Sequence, residues 1–489
     1  MTGLGVKFER IFNPNRVAIV GVTAEGFGFG RGILLSLRAI GFGGDIIPVN
    51  RKGGIIEGLK IYPSVEEIPG EIDFAIIAVP APGVPVALEA CRLKGAAGAE
   101  ILSSGFDELA TEEGARLGRE IKEIAARGIR VLGPNCFGIY CPASGLTMLP
   151  GPDLSRERGS VAFVSQSGGM SIDLAHVGRW KGIRFSKVVS FGNGIDLRET
   201  ELLEYLGSDP ETEIIAMYIE GVEDGRRFLR VLTEVAARKP VLVCKGGLSE
   251  AGSRAVESHT ASMSGARAIW EAVLRQANAV PVTDLQEMSD TLLAFSMLPP
   301  GEYRGLSVIG GGGALGVAAA DAAESRGMVI PRLEGEARKR IEAVLPKPGS
   351  SGANPVDIAN PFVTPGALKE VLLAAASDAR IDVQIMVQLL YHYRSLAVSI
   401  GARSVREAVP VKELADAVAS ARDESGKPVV MVMPNYKRET ENMEIEEVIR
   451  EARKEFIARR VPVFDELPHA MNAVSAVTDY YRKKRRRGQ

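Results

Sequence analysis

The chain has 489 residues, 46% of them hydrophobic and 25% charged, with a formal net charge of −2. That length exceeds a single hydrophobic core and predicts about three domains, while the balanced charge argues against nucleic acid or an anionic membrane as a partner. No apolar run approaches the roughly 20 residues that span a bilayer, and the start MTGLGVKFERIF carries no apolar signal core, so a cytoplasmic location is expected.

Short β-branched runs at 16–20, 46–49, 74–79, 100–102 and 130–132 alternate with helical patterns, as successive βα units of a doubly covered parallel sheet do. Residues 1–150 are therefore expected to form a Rossmann-like domain, ended by a linker at 149–154 that breaks periodicity. A second series runs at 161–164, 185–189, 214–219, 241–243 and 280–282, giving an α/β domain over 151–299. A third, over 300–489, has strands at 306–309, 383–387, 429–432 and 461–464. The third series repeats the second. Both open on a strand running into a glycine-rich helix start, both carry Lys-Pro-Val at a strand start (Lys239 and Lys427), and VPVTDLQEMSDTL answers VPVFDELPHAMNAV. Two flavodoxin-like copies follow from this, a duplication that would let two helix N-termini face each other. The basic run 482–487 reads as a frayed, solvated tail. The cysteines Cys91, Cys136, Cys141 and Cys244 form no CxxC pair and read as buried thiols, with no metal site expected.

In the first domain the opening strand feeds a turn at 21–32 containing Gly21, Gly28 and Gly30, where backbone amides can approach a pyrophosphate. It does not fit G-x-G-x-x-G. After the second strand stand Asn50, Arg51 and Lys52, where an NAD site would place an acid, so NAD is disfavoured. A basic pair there suits a ribose phosphate, leaving NADP, the 3′-phospho-ADP of coenzyme A, or a merely structural glycine turn. In the second domain Ser165, Ser167 and Gly168 lie in a strand-to-helix turn that offers amides and a helix dipole to an anion, or plain N-capping by serine. Glu220 ends the strand 214–219 and would sit on the same sheet edge as His259, either orienting that imidazole or pairing with Arg226. His259 lies in ESHTASMSG, polar company for a histidine, on an expected strand-to-helix loop before a helix at 266–274. A neutral imidazole there can attack phosphorus, which makes His259 a candidate phosphoryl carrier, with an ordinary loop histidine as the alternative. His176, His392 and His469 stand in amphipathic contexts and read as structural.

Taken in order, IIPVNRKGGIIEGLKIYPSVEEIPGEIDFAIIAVPA, VLGPNCFGIY, VAFVSQSGGMSIDL, VVSFGNGIDL, MYIEG, the KGG and ESHTASMSG block and ANPVDI resemble the α subunit of ADP-forming acetyl-CoA and other acyl-CoA synthetases, within the succinyl-CoA synthetase superfamily. The resemblance covers nearly the whole chain. It implies a CoA-binding domain followed by two ligase domains, with His259 matching the phosphorylated histidine and Glu220 its orienting carboxylate. Gly21, Thr23, Gly28, Gly30, Asn50, Lys52, Val79, Pro80, Ser103 and Asn135 match the CoA side. Ser165, Ser167 and Gly168 match the phosphate cradle, with Gly311, Gly312 and Gly313 as its counterpart in the third domain. The implied reaction converts acyl-CoA, ADP and phosphate to acid, ATP and CoA through an acyl phosphate and a phosphohistidine. No segment resembles an ATP-grasp domain, so ADP or ATP and Mg²⁺ are assigned to a separate ATP-grasp β subunit in an α2β2 assembly. Ala261 replaces the family's glycine after the His-Thr pair, and 433–437 replaces a glycine pair. These departures motivate the alternative of a non-catalytic acyl-CoA-binding or regulatory homologue. An NADP oxidoreductase lacks any hydride-site acid and base.

Overall fold

The computed structural model describes residues 3–148, 153–260 and 266–488, with side chains described outside 3–6 and 257–260. Residues 149–152 of the expected linker, and Ala261, lie outside the described residues. Two compact units emerge, one of residues 1–179 and 183–288, the other of 180–182 and 289–489.

Among the described residues the first unit contains two main sheets and one two-stranded sheet. Strands β1 (Arg16–Val20) and β2 (Asp45–Val49), the hairpin pair β3 (Gly54–Ile56) and β4 (Leu59–Ile61), then β5 (Phe74–Ile77), β6 (Gly98–Ile101) and β7 (Arg130–Leu132) follow in chain order. Five of these form a parallel sheet in the order β2-β1-β5-β6-β7, a doubly wound arrangement whose reversal falls between β1 and β5. Val17, Ala18, Ile19, Phe74, Ala75 and Ile77 are fully buried, which is why these strands read as continuous apolar runs rather than alternating ones.

The second sheet takes β8 (Gly138–Tyr140), β9 (Val161–Ser165), β10 (Phe185–Ser190), β11 (Ile214–Ile219), β12 (Val241–Lys245) and β13 (Val280–Val282) in the order β13-β12-β11-β9-β10-β8. All pairings are parallel except the edge strand β8, which runs antiparallel to β10. Between β11 and β12 the helix Gly225–Ala236 starts at Asp224, whose carboxylate accepts from the amides of Arg226 (3.1 Å) and Arg227 (3.0 Å).

The other unit is built on β14 (Leu306–Gly310), β15 (Val356–Asp357), β16 (Val383–Val387), β17 (Val429–Val432) and β18 (Val463–Phe464), parallel in the order β15-β14-β16-β17-β18. Leaving aside β8, the second and third sheets share one connectivity. Lys239 and Lys427 each precede the fourth strand of that pattern, and the two Val-Pro-Val segments supply the fifth. The repeat legible in the sequence is therefore a repeat of topology.

Three features depart from expectation. β15 is a two-residue strand hidden in ANPVDI, and the β3–β4 hairpin and β8 interrupt the expected βα alternation. The basic run does not fray among the described residues: the helix Leu467–Arg486 carries it, Arg482 donates to Asp479, and Arg485 pairs with Glu302 at 2.7 Å, so local ion pairs support the last turns. The third is the setting of His259. Ser249 caps a helix, Glu250–Thr260, by accepting from the Gly252 amide at 3.0 Å, and the helix-favouring sequence EAGSRAVESHT carries it through position 259 where a loop was expected. The side chain of His259 lies outside the described residues, as do 261–265. The next helix is Arg267–Ala277.

Candidate active site

At the carboxyl edge of the first sheet, β1 ends in Gly21 at φ +105°, where a Cβ would lie 2.5 Å from the Ala78 carbonyl oxygen. Gly30, in the helix Phe29–Ile40, faces it so closely that a Cβ there would lie 2.6 Å from the Gly21 carbonyl oxygen. Both glycines are thus required by backbone approach, and Gly28 caps the helix they bring to the sheet edge. In this turn the Thr23 hydroxyl is buried with no hydrogen-bond partner among the described residues, a polar group suited to a ligand. Asn50 shapes the next turn, its side-chain oxygen accepting from the Lys52 amide at 3.0 Å, and leaves Lys52 exposed.

Val79, Ser103 and Asn135 come together along the same edge. The Ser103 hydroxyl donates to the Val79 carbonyl, and the Ser103 carbonyl accepts from the Asn135 amide at 2.9 Å. Pro80 is exposed beside them. Every CoA-side residue expected from the sequence therefore falls at or just beyond the carboxyl ends of this sheet, or on the helix start facing it.

On the second sheet β9 closes with Ser165, whose hydroxyl donates to the Ser167 carbonyl at 2.6 Å. The Ser167 hydroxyl accepts from the Met170 amide at 3.3 Å, so serine capping is real here and starts the helix Gly168–Lys181 at the sheet edge. Glu220 follows β11, 6% exposed. Its amide donates to the Gln166 side-chain oxygen at 2.8 Å, and the Tyr218 hydroxyl donates to its carboxylate at 3.3 Å. The Lys245 ammonium, at the end of β12, donates to the Glu220 carbonyl at 2.6 Å and to the Gly246 carbonyl. Burial pushes Lys245 down to about 8, opposed by the Glu220 carboxylate.

Gln166 and Lys245 are site residues that sequence reasoning missed. The only available signals were a glutamine inside SQSGG and a charged residue closing an apolar strand. Each meets a main-chain atom of Glu220, a residue far from it in the sequence.

Gly311, Gly312 and Gly313 belong to the other unit, after β14. Gly312, at φ +101°, caps the helix Gly313–Glu324, and its amide donates to the Asp357 carboxylate at 3.1 Å. One amide of that turn is therefore already engaged by a carboxylate from β15. The replaced glycine pair forms a local turn in which Asn435 accepts from the Lys437 amide at 3.0 Å and donates to Glu446 at 2.9 Å. The four cysteines are free and buried. Among the described residues no group of three or more His, Cys, Asp or Glu could hold a metal ion, and no helix is long and apolar enough to cross a membrane.

These two edges match known models in turn. A CoA binding domain matches residues 15–142, and a succinyl-CoA ligase like flavodoxin domain matches residues 158–295. The acetate–CoA ligase [ADP-forming] I subunit alpha of Pyrococcus furiosus is 40% identical over 366 residues, covering 72% of this chain and 77% of that protein. The chain belongs to the ADP-forming acetate–CoA ligase family. Acetate–CoA ligase [ADP-forming] I of Archaeoglobus fulgidus is 39% identical over 351 residues, 72% of this chain and 50% of that protein, so the chain spans about half the length of this relative. The dinucleotide forming acetyl-coenzyme A synthetase 1 of Ca. Korarchaeum cryptofilum, solved with phosphate and ADP, superimposes with a TM-score of 0.82 at 31% identity, covering 98% of this chain and 97% of that one. Family membership accounts for the order of the motifs along the chain, and the sheet over 158–295 falls in the flavodoxin domain that the matched ligase model describes.

Proposed function

We propose that this chain is the α subunit of an ADP-forming acyl-CoA ligase, converting acyl-CoA, ADP and phosphate to acid, ATP and CoA. The observation that carries the reading is the second sheet's carboxyl edge, where the Ser165–Ser167 turn, a helix start and a buried, backbone-anchored Glu220 stand beside the strand end that leads to the His259 helix. In the reaction proposed, a phosphate oxygen attacks the thioester carbonyl and the C–S bond breaks, giving an acyl phosphate and CoA thiolate. The imidazole of His259 then attacks phosphorus, releasing the carboxylate and forming a P–N bond. ADP later accepts the phosphoryl group from His259, which returns to imidazole. Glu220 acts by fixing the imidazole's tautomer, and the helix dipole at Gly168 offsets the charge of the arriving phosphate.

CoA is assigned to the first sheet's edge, with Thr23 and the glycine turn at 21–30 toward its pyrophosphate and Lys52 toward its ribose phosphate. Gly311, Gly312 and Gly313 are assigned to the phosphate from the third sheet. The working division is 1–150 for CoA, 151–299 for the phosphohistidine and 300–489 for the second ligase domain. ADP or ATP and Mg²⁺ are assigned to an ATP-grasp β subunit in an α2β2 complex, consistent with the relatives named as alpha subunits. A cytoplasmic setting completes the reading. The test is mass spectrometry of the chain after incubation with acetyl-CoA, phosphate and Mg²⁺: an acid-labile phosphoryl adduct at His259, absent from His259→Ala, is expected, and equal labelling of both proteins would overturn the assignment.

A further inference from the structure

Lys245 is 7% exposed at the end of β12, and it donates hydrogen bonds to two main-chain carbonyls. One carbonyl belongs to Glu220 and the other to Gly246, and its third side lies over the Trp270 ring, 5.1 Å from the centroid. β11 and β12 are in parallel register to the pair Ile219 and Lys245, and the Gly246 amide still donates to the Ile219 carbonyl at 2.9 Å. The ammonium therefore bridges the two chains just beyond their last ladder pair. One of those chains carries Glu220; the other runs on through 247–249 into the helix Glu250–Thr260 that contains His259.

We propose that Lys245 is a positioning residue for phosphoryl transfer, clasping the Glu220 segment to the segment that leads to His259 and placing a fixed positive charge behind the phosphate-binding edge. The inference rests on the proposed roles of Glu220 and His259. Burying an ammonium is costly. A neutral donor could join two carbonyls without that cost, so the charge itself needs a use, and stabilising a phosphoryl dianion in a water-poor edge is one.

The groups acting on the ammonium are Glu220 just past β11, Cys244 on its own strand and the Trp270 ring from the helix Arg267–Ala277, and Tyr218 on β11 reaches the same Glu220 carboxylate. Burial raises both the Tyr218 phenol and the Cys244 thiol, the latter to about 11, so neither changes charge near neutrality.

The experiment measures the initial rate of acid-labile labelling of the full chain with acetyl-CoA, phosphate and Mg²⁺ across the neutral and alkaline range, for the parent, Lys245→Met and Lys245→Arg. The expected result is a fall of roughly 10- to 100-fold in Lys245→Met near neutrality, the size of an orienting effect, with CoA affinity by calorimetry unchanged. The parent rate should decline on the alkaline side around the lysine's value of about 8, and Lys245→Arg, which cannot lose its charge there, should lack that decline. Parental labelling by Lys245→Met, or an unchanged alkaline limb in Lys245→Arg, overturns the proposal. If Lys245→Met does not fold, the Lys245→Arg profile decides alone. A parent chain that never labels overturns the phosphohistidine reading itself, and this inference with it.

Discussion

Replacing Glu220 by glutamine separates its orienting role from its structural one, because both main-chain groups of this residue are engaged without its carboxylate. The amide is bound by Gln166 at 2.8 Å and the carbonyl by Lys245 at 2.6 Å, and neither bond involves the carboxylate. The substitution keeps side-chain volume and leaves an oxygen to accept from Tyr218, now 3.3 Å away, so the cost to folding should stay within about 1 kcal/mol, the worth of one hydrogen bond. The chemical cost is larger. A carboxylate that fixes an imidazole tautomer and stabilises its charged form contributes about 10²-fold, which is about 2.7 kcal/mol of barrier. Rapid-quench labelling with acetyl-CoA and phosphate should therefore show the phosphohistidine forming about 100-fold more slowly in Glu220→Gln, while thermal unfolding and CoA calorimetry match the parent. Unchanged labelling kinetics in a folded Glu220→Gln chain would refute the orienting role; a large drop in melting temperature would mean that the carboxylate is structural after all.

Other sites make sharper tests of the binding and folding arguments. Lys52→Ala should weaken CoA about tenfold, the worth of one charge-assisted contact, and leave dephospho-CoA affinity unchanged by calorimetry; equal losses for both ligands would remove Lys52 from the 3′-phosphate. Gly30→Ala should disrupt the CoA side, since the added methyl meets the Gly21 carbonyl oxygen at 2.6 Å, and normal CoA binding by this variant would contradict the packing. Lys187, buried in the first unit, donates to Asp209 at 2.7 Å and to Glu211 at 2.9 Å, so Asp209→Ala should destabilise that unit by about 3 kcal/mol in denaturant titration. Although burial pushes Asp209 up, its bonds from Lys187 and Thr212 prevail and hold it below the usual carboxylate value. The sign follows: its contribution is present above the unfolded value of about 4 and is lost as pH falls through the depressed folded value, an acid loss that Asp209→Ala should lack. Finally, the purified chain should label yet fail to make ATP from acyl-CoA, ADP and phosphate until an ATP-grasp partner is added; sustained ATP synthesis by the chain alone would refute that division of labour.

The sheets were legible because their strands are buried on both faces: 214–219 and 429–432 are uninterrupted apolar runs, 383–387 is broken only by the buried Gln384, and their bounds coincide with β11, β17 and β16. Strand order was legible only through the flavodoxin-like class expected of the two copies, whose 2-1-3-4-5 order both sheets show, since nothing in a run of valines says which neighbour it pairs with. β15 was invisible for another reason. Two residues, Val356 and Asp357, pair with Ile309 and Gly310, and so short a strand has no periodicity to detect.

The site divides along the same line. Gly21 and Gly30 were legible because a glycine-rich turn after a strand has a local cause, and the structure supplies it as two backbone approaches under 3 Å. Glu220 was legible as a charged residue ending an apolar strand. Lys245 ends an apolar strand in the same way, yet its role depends on a carbonyl 25 positions earlier in the chain and on an indole that a different helix brings over it. Sequence spacing can nominate a residue that would touch a ligand, because such residues cluster at turns and strand ends. It gives no access to a residue whose work is to hold another residue's backbone, because that backbone becomes a neighbour only when β11 and β12 pair. The consequence reaches beyond legibility: if Lys245 sets the position of Glu220, substitutions that shift β12 against β11 should slow phosphorylation without touching any group that meets the substrate.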